Sequence, residues 1–142
     1  MAESIKVLID TNVIIDYIAE REPYVHQAVE LIKLCTSDKI IGCIAAHTVT
    51  NIFYILRKEF SAERRKEFLL DLCSEFTVIG LNSNKIIAAL KNDNFDDLED
   101  CLQDECAADF EAEYIITRNT KDFIGSKIKA VEPAEFLSMI NK

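Results

Sequence analysis

The chain is predicted to be a three-layer α/β/α sandwich around a central parallel sheet of four to five strands, and three observations predict it. Short β-branched runs alternate with stretches of helical periodicity along all 142 residues. Only two prolines and three glycines interrupt the sequence, which favours helices and short connections over a loop-rich or all-β protein. The hydrophobic fraction is 49%, enough for a core built without disulfides. Strands that alternate with helices imply a parallel sheet covered on both faces. The length fits one domain spanning residues 1–142, with no internal repeat, linker or low-complexity segment.

Each element has its own signal. Ile5 to Ile9 (IKVLI) is short, mostly β-branched and ended by polar Asp-Thr-Asn, as in a buried strand. Asn12 to Ala19 reads as a helix. Glu22-Pro23 then opens another, with proline in its first turn. Its apolar positions Ala28, Leu31, Ile32 and Cys35 recur at helical spacing. Ile40 to Ala45 is a second strand, and Val49 to Leu56 returns to helical spacing. Ser61 is placed to cap a helix running to about Ser74, with Phe68, Leu69 and Leu72 on one face. Phe76 to Ile79 is a third strand and Ser83 to Leu90 a short helix. Asp97 to Phe110 is a longer helix with Leu98, Cys101, Leu102 and Cys106 on its apolar side. Tyr114 to Thr117 is a fourth strand, Lys129 to Val131 a fifth, and Pro133 starts the last helix.

Composition excludes several classes. No run of eighteen apolar residues exists, so no membrane span is expected. The start MAESIKVLIDTN has neither the basic residues nor the long apolar stretch of a secretory signal. The five cysteines, Cys35, Cys43, Cys73, Cys101 and Cys106, form no C-x-x-C pair and lie in apolar runs, as buried free thiols do. A reducing cytoplasm is therefore the expected location. The net charge of -9 argues against a broad basic surface for nucleic acid, although a metal in an acidic pocket reverses the sign locally. The one dense basic stretch holds Arg57, Lys58, Arg64, Arg65 and Lys66, and Arg64 to Lys66 reads as a solvated helix face.

In a parallel sheet the functional crevice lies beyond the carboxyl ends of the strands. The first strand ends in Asp10-Thr11-Asn12, the second leads into His47, Thr48, Thr50 and Asn51, and the fourth ends in Thr117-Arg118-Asn119, followed by Asp122. Asp97 and Asp100 share a face at the start of the long helix, with Asp104 further along the same stripe. Carboxylates at such spacings repel by roughly 0.2–0.5 kcal/mol per exposed pair, more when partly buried. A divalent cation reverses that sign, and hard oxygen ligands suit Mg²⁺ or Mn²⁺. Simpler explanations stay open at two places. Acids at a helix N-terminus also suit the helix dipole, which covers Asp96 and Asp97, and Asp10 also fits a helix cap. Asp104, Glu105, Asp109, Glu111 and Glu113 read as a solvated face, and His26 and His47 as structural or weakly substrate-contacting. No Gly-rich phosphate loop, G-x-S-x-G elbow or Cys/His nucleophile pair occurs.

The segments VLIDTNVIIDYI, AAHTVTNIFYILRK, FDDLEDCLQDECAADFEAEYIITRNTKDF and VEPAEFL, in that order through nearly the whole chain, resemble a PIN domain of the bacterial VapC-like kind. The resemblance implies a central parallel sheet, a homodimer, Mg²⁺- or Mn²⁺-dependent cleavage of RNA and an antitoxin partner. It makes Asp10 the first metal-binding acid and Asp100 the acid at the start of the long helix. Asp97 lies a turn before Asp100, and Asp122 lies in the last motif. Asn12 and Thr117 would orient the acids. Two positions depart from the family pattern. Asn51 stands where many members carry Glu, and Asn119 where many carry Asp. An amide brings no charge and cannot act as a general base. Phe53, Tyr54 and Phe60 are expected to offer an apolar contact surface.

Overall fold

The computed structural model describes residues 4–141. Five strands form one sheet in the order β3-β2-β1-β4-β5: β1 (Ile5–Ile9), β2 (Ile40–Ala45), β3 (Thr77–Ile79), β4 (Tyr114–Ile116) and β5 (Lys129–Val131). Every neighbouring pair is parallel. The central β1 pairs Leu8 with Cys43 of β2 on one side and with Ile115 of β4 on the other.

Alternation along these strands sorts the core into two layers. Val7, Ile9, Ile44 and Ile116 point to one face. There they meet α1 (Thr11–Ile18), α2 (Val25–Thr36), α3 (Ala46–Ile55), α4 (Ala62–Glu75) and α7 (Pro133–Ile140). Leu8, Cys43, Ala45 and Ile115 point to the other face, against α6 (Leu98–Phe110), which in turn packs on α5 (Ser83–Lys91). Helices thus cover both faces, and the near-continuous apolar strands are those of a sheet buried twice. Gly42 in β2 lets the chains close up: a Cβ there would sit 2.7 Å from a Phe76 ring carbon and 3.0 Å from Cys35 Sγ.

The local signals act as expected at most ends. Ser61 caps α4 by accepting from the Arg64 amide at 3.1 Å, and Pro133 occupies the first turn of α7. Several boundaries differ, most by one residue, and three of them bear on the site. Helix α2 starts at Val25, since Glu22 to Tyr24 form a turn closed by Val25 N–H donating to Arg21 O at 2.7 Å. Helix α3 starts at Ala46, directly after β2 and earlier than the expected Val49. Thr117 falls just outside β4, and its amide still bonds to Val131 O at 3.0 Å.

Some surface expectations are corrected. Asp104 is fully buried, because its carboxylate accepts from Ser126 Oγ at 2.6 Å and from the Lys127 amide at 3.1 Å, tying the loop before β5 onto α6. Glu105 is largely covered and pairs with Lys127 at 2.9 Å. Leu98 and Cys73 are exposed rather than packed. Phe53 and Phe60 are partly buried. The Arg65 guanidinium lies over Phe53, and Phe60 meets Phe68 edge-on, so Tyr54 alone of the three aromatics is open to solvent. All five cysteines are free, and burial pushes the Cys35 thiol up to about 12 and Cys106 up to about 11, which leaves both unreactive. No helix among the described residues is long and apolar enough to cross a membrane.

Candidate metal centre

The strand order reverses at β1, so the carboxyl ends of β1 and β4 form the switch point at which parallel sheets seat their ligands. Asp10 ends β1 and caps α1 in one residue. Its amide bonds to Ile116 O at 3.0 Å, locking it beside β4. Its Oδ1 accepts from the Thr11 amide at 2.8 Å, and its Oδ2 accepts from the Thr117 hydroxyl at 2.8 Å. Thr117 in turn accepts from the Asn119 amide at 3.0 Å, so its single proton is committed to Asp10. Asn12 reaches Oδ2 of Asp10 and Oγ1 of Thr117 at 3.4 Å each, and its own oxygen faces the Arg118 amide at 3.4 Å. These bonds place Asn12 and Thr117 against Asp10.

Helix α6 brings the second group of acids. Asp97 caps it, accepting from the Asp100 amide at 3.0 Å. Asp100 is half-buried one turn in. Asp122 stands in the 3-10 turn Thr120–Phe123 after β4. The charges of Asp10, Asp97 and Asp122 all reach Asp100. With burial as the first cause, they push its carboxyl up to about 7. Asp10 is also raised, chiefly by burial and further by Asp122 and Asp97, against the pull of the Thr117 and Thr11 bonds. The four acids named from the sequence therefore share one electrostatic neighbourhood. Among the described residues, no three His, Cys, Asp or Glu side chains close tightly enough to ligate one ion unaided. Asn51 is half-buried on α3 and Asn119 is exposed.

The donor set fits a hard divalent cation. Every candidate ligand is an oxygen, and Asp10 is a carboxylate held in a buried position with both oxygens oriented. Mg²⁺ in particular is usually bound by one or two carboxylates with waters and substrate phosphate, so a complete protein cage is not required.

Several residues around the centre were not singled out from the sequence. Gln103, 2% exposed, donates from Nε2 to the hydroxyls of Thr48 at 3.0 Å and Thr11 at 3.3 Å. A buried bridge thus joins α6, α3 and α1 under the acids. His47 donates through Nε2 to Glu99 O at 3.1 Å, and burial lowers its pKa, so a neutral ring ties α3 to the first turn of α6. His26 is exposed and faces Glu22 at 3.4 Å. Asp16 and Arg118 form a bidentate pair at 2.6 and 3.3 Å.

A larger concavity, about 690 Å³, lies between α1, α2 and α4 and touches none of the four acids. Its acids, Glu20, Asp71 and Glu75, stand apart from the Asp10 neighbourhood.

A doubly wound parallel α/β protein with acids converging on its switch point is the class that fold and site define. Residues 6–121 match a family model described as a PIN domain. The chain belongs to the PIN domain family. It is 28% identical over 143 residues to Ribonuclease VapC1 of Aquifex aeolicus (strain VF5), covering 96% of each chain. It superposes on a chain of a toxin–antitoxin complex from Klebsiella pneumoniae with a TM-score of 0.66 at 27% identity, covering 89% of this chain and 97% of that one. The DNA-bound VapBC structure from Salmonella typhimurium gives 0.66 at 20% identity over 91% of this chain and 98% of that one, a likeness of fold.

Proposed function

We propose that this chain, as one PIN unit over residues 1–142, is a divalent-metal-dependent endoribonuclease and the toxin of a toxin–antitoxin pair. The observation that carries the proposal is the convergence on Asp100, where burial and three neighbouring aspartates raise the carboxyl to about 7. A divalent cation relieves such mutual repulsion without protonating the acids. The similarity to a ribonuclease over nearly the full length of both chains supports the reading. The likeness to a chain of a toxin–antitoxin complex supports an antitoxin partner. A cytoplasmic location and a homodimer complete the proposal. Tyr54 and Ile55, 62% and 45% exposed, are an apolar surface available for contact between copies.

Asp10 and Asp100 would hold Mg²⁺ or Mn²⁺, with Asp97 and Asp122 completing or positioning the site. The bound ion supplies a lowered pKa for water and charge stabilisation at a phosphodiester. The chain's own residues prepare that chemistry. Thr117 and the Thr11 amide aim Asp10 and favour its charged form, against the burial that disfavours it. The cap at Asp97 fixes the first turn of α6, and with it Asp100. Gln103 and His47 hold that turn against α1 and α3.

The test is cleavage of single-stranded RNA with Mn²⁺ or Mg²⁺ by the wild type, Asp10→Asn and Asp100→Asn. Cleavage by the wild type and loss in both variants is the expected result. Activity that survives both substitutions rejects the assignment. A second reading, an RNA- or protein-binding PIN domain with weak or absent turnover, is favoured by the uncharged Asn51 and Asn119 and by the open spacing of the acids. It predicts binding without turnover under any metal.

A further inference from the structure

The turn after β4 carries a charged residue that the acidic centre does not use. Arg118 lies between Thr117, which orients Asp10, and Asn119. Its guanidinium is gripped by Asp16 through Nε at 2.6 Å and Nη2 at 3.3 Å. Asp16 is 2% exposed and Arg118 31%. A two-point bond fixes the guanidinium plane as well as its place. Against that plane lies Tyr24, with Arg118 Cζ 4.0 Å from the ring centroid. Tyr24 itself remains 42% exposed. Together they wall a cleft of about 390 Å³, whose other sides include Gln27, Asn119, Glu132 and Pro133.

The chemistry of this cleft is selective. The Arg118 charge is already neutralised by Asp16, and Glu132 adds a negative one, so phosphate or an acidic peptide gains nothing there. What remains is a rigid, planar, amphipathic surface bordered by two amides and a carboxylate. Unpaired bases are recognised by such parts: they stack on aromatic rings and guanidinium planes and bond through their polar edges. We propose that this cleft seats an unpaired base of the RNA strand next to the phosphate held at the acids, with Tyr24 and Arg118 as the stacking platform and Gln27, Asn119 and Glu132 reading the base edge. The inference rests on the ribonuclease reading, since it takes the bound strand to be RNA. The buried ion pair then serves position rather than stability: it keeps the platform flat before the strand arrives.

The experiment uses the full chain with a fluorescein-labelled single-stranded oligoribonucleotide. Anisotropy gives Kd and time courses with Mn²⁺ give KM and kcat, for wild type, Tyr24→Ala, Tyr24→Phe and Gln27→Ala. Thermal melts confirm that each variant folds. Tyr24→Ala is expected to raise Kd and KM about ten-fold, the usual loss for one stacked base. Tyr24→Phe should bind like wild type, and Gln27→Ala should change the base preferred beside the cut. Duplex RNA should not compete. If the wild type cuts and Tyr24→Ala leaves Kd, KM and cut-site preference unchanged, the subsite is overturned while the nuclease reading stands, and a protein partner becomes the occupant to seek. If the wild type binds without cutting and Tyr24→Ala weakens binding, the subsite stands and the nuclease reading fails. A chain that neither binds nor cuts overturns both.

Discussion

Replacing Asp100 by Asn should stabilise the metal-free protein, and the gain should depend on pH. The folded carboxyl titrates at about 7 against an ordinary value of 3.8. Between those values the folded state binds more protons than the unfolded chain, so stability falls as pH rises through the window. A shift of about three units corresponds to about 4 kcal/mol if taken whole. Asp100 is only half-buried, and solvent screening reduces the figure to about 1–2 kcal/mol. Asparagine cannot ionise, so the variant escapes that loss. In chelator at pH 8 its melting temperature should exceed that of the wild type by about 3–6 °C, and the two should converge near pH 4. Added Mn²⁺ should reverse the order, because an ion that binds only the folded state stabilises the wild type by about 2.7 kcal/mol at a hundred-fold excess over Kd. Calorimetry at several pH values, with chelator and with Mn²⁺, reads both effects. Equal melting temperatures at every pH in chelator, with equal Mn²⁺ stabilisation, would refute the reasoning and leave Asp100 as an ordinary first-turn acid.

Other perturbations separate the centre from its scaffold. Thr117→Val removes the hydroxyl that supports ionised Asp10 and should cost about 1–3 kcal/mol at pH 8, less at acid pH, while raising the Mn²⁺ concentration needed for half-maximal stabilisation. Urea unfolding at two pH values checks the first effect and Mn²⁺ titration the second. Asp104→Ala strands the Lys127 amide, while the Ser126 hydroxyl keeps Ile128 O as its acceptor, and should cost about 1–3 kcal/mol in urea unfolding. Its Mn²⁺ affinity should be that of the wild type, and a large change would mean that Asp104 belongs to the centre. Gly42→Ala forces a Cβ against the buried Phe76 ring and should cost about 1–3 kcal/mol in the same assay.

Sequence and structure agree best where one-dimensional signals suffice. IKVLI has both strand bounds right because a β-branched run ends sharply in polar residues. Ser61 and Pro133 act locally, so their effects were readable. Asp10, Asp97, Asp100 and Asp122 were legible as a group because parallel topology sends the ends of β1 and β4 and the start of α6 to one edge. What stayed hidden depends on contacts between distant segments. Asp104 sits on the same helical stripe as Asp97 and Asp100 and looks solvated until the Ser126 loop folds onto it. Gln103 looks like a surface amide until the hydroxyls of Thr11 and Thr48 meet it, 92 and 55 residues away. Arg118 and Asp16 are 102 residues apart, and no local pattern links them. The early start of α3 was missed because Ala46, His47 and Thr48 carry no apolar periodicity.

The most direct measurement is anomalous diffraction from crystals soaked in Mn²⁺. The account predicts a peak about 2.1 Å from a carboxylate oxygen of Asp10, with Asp100 bound directly or through water. It also predicts the loss of that peak in the Asp10→Asn, Asp100→Asn double variant. A manganese peak elsewhere on the molecule with none beside Asp10, or one that persists unchanged in the double variant, would contradict it.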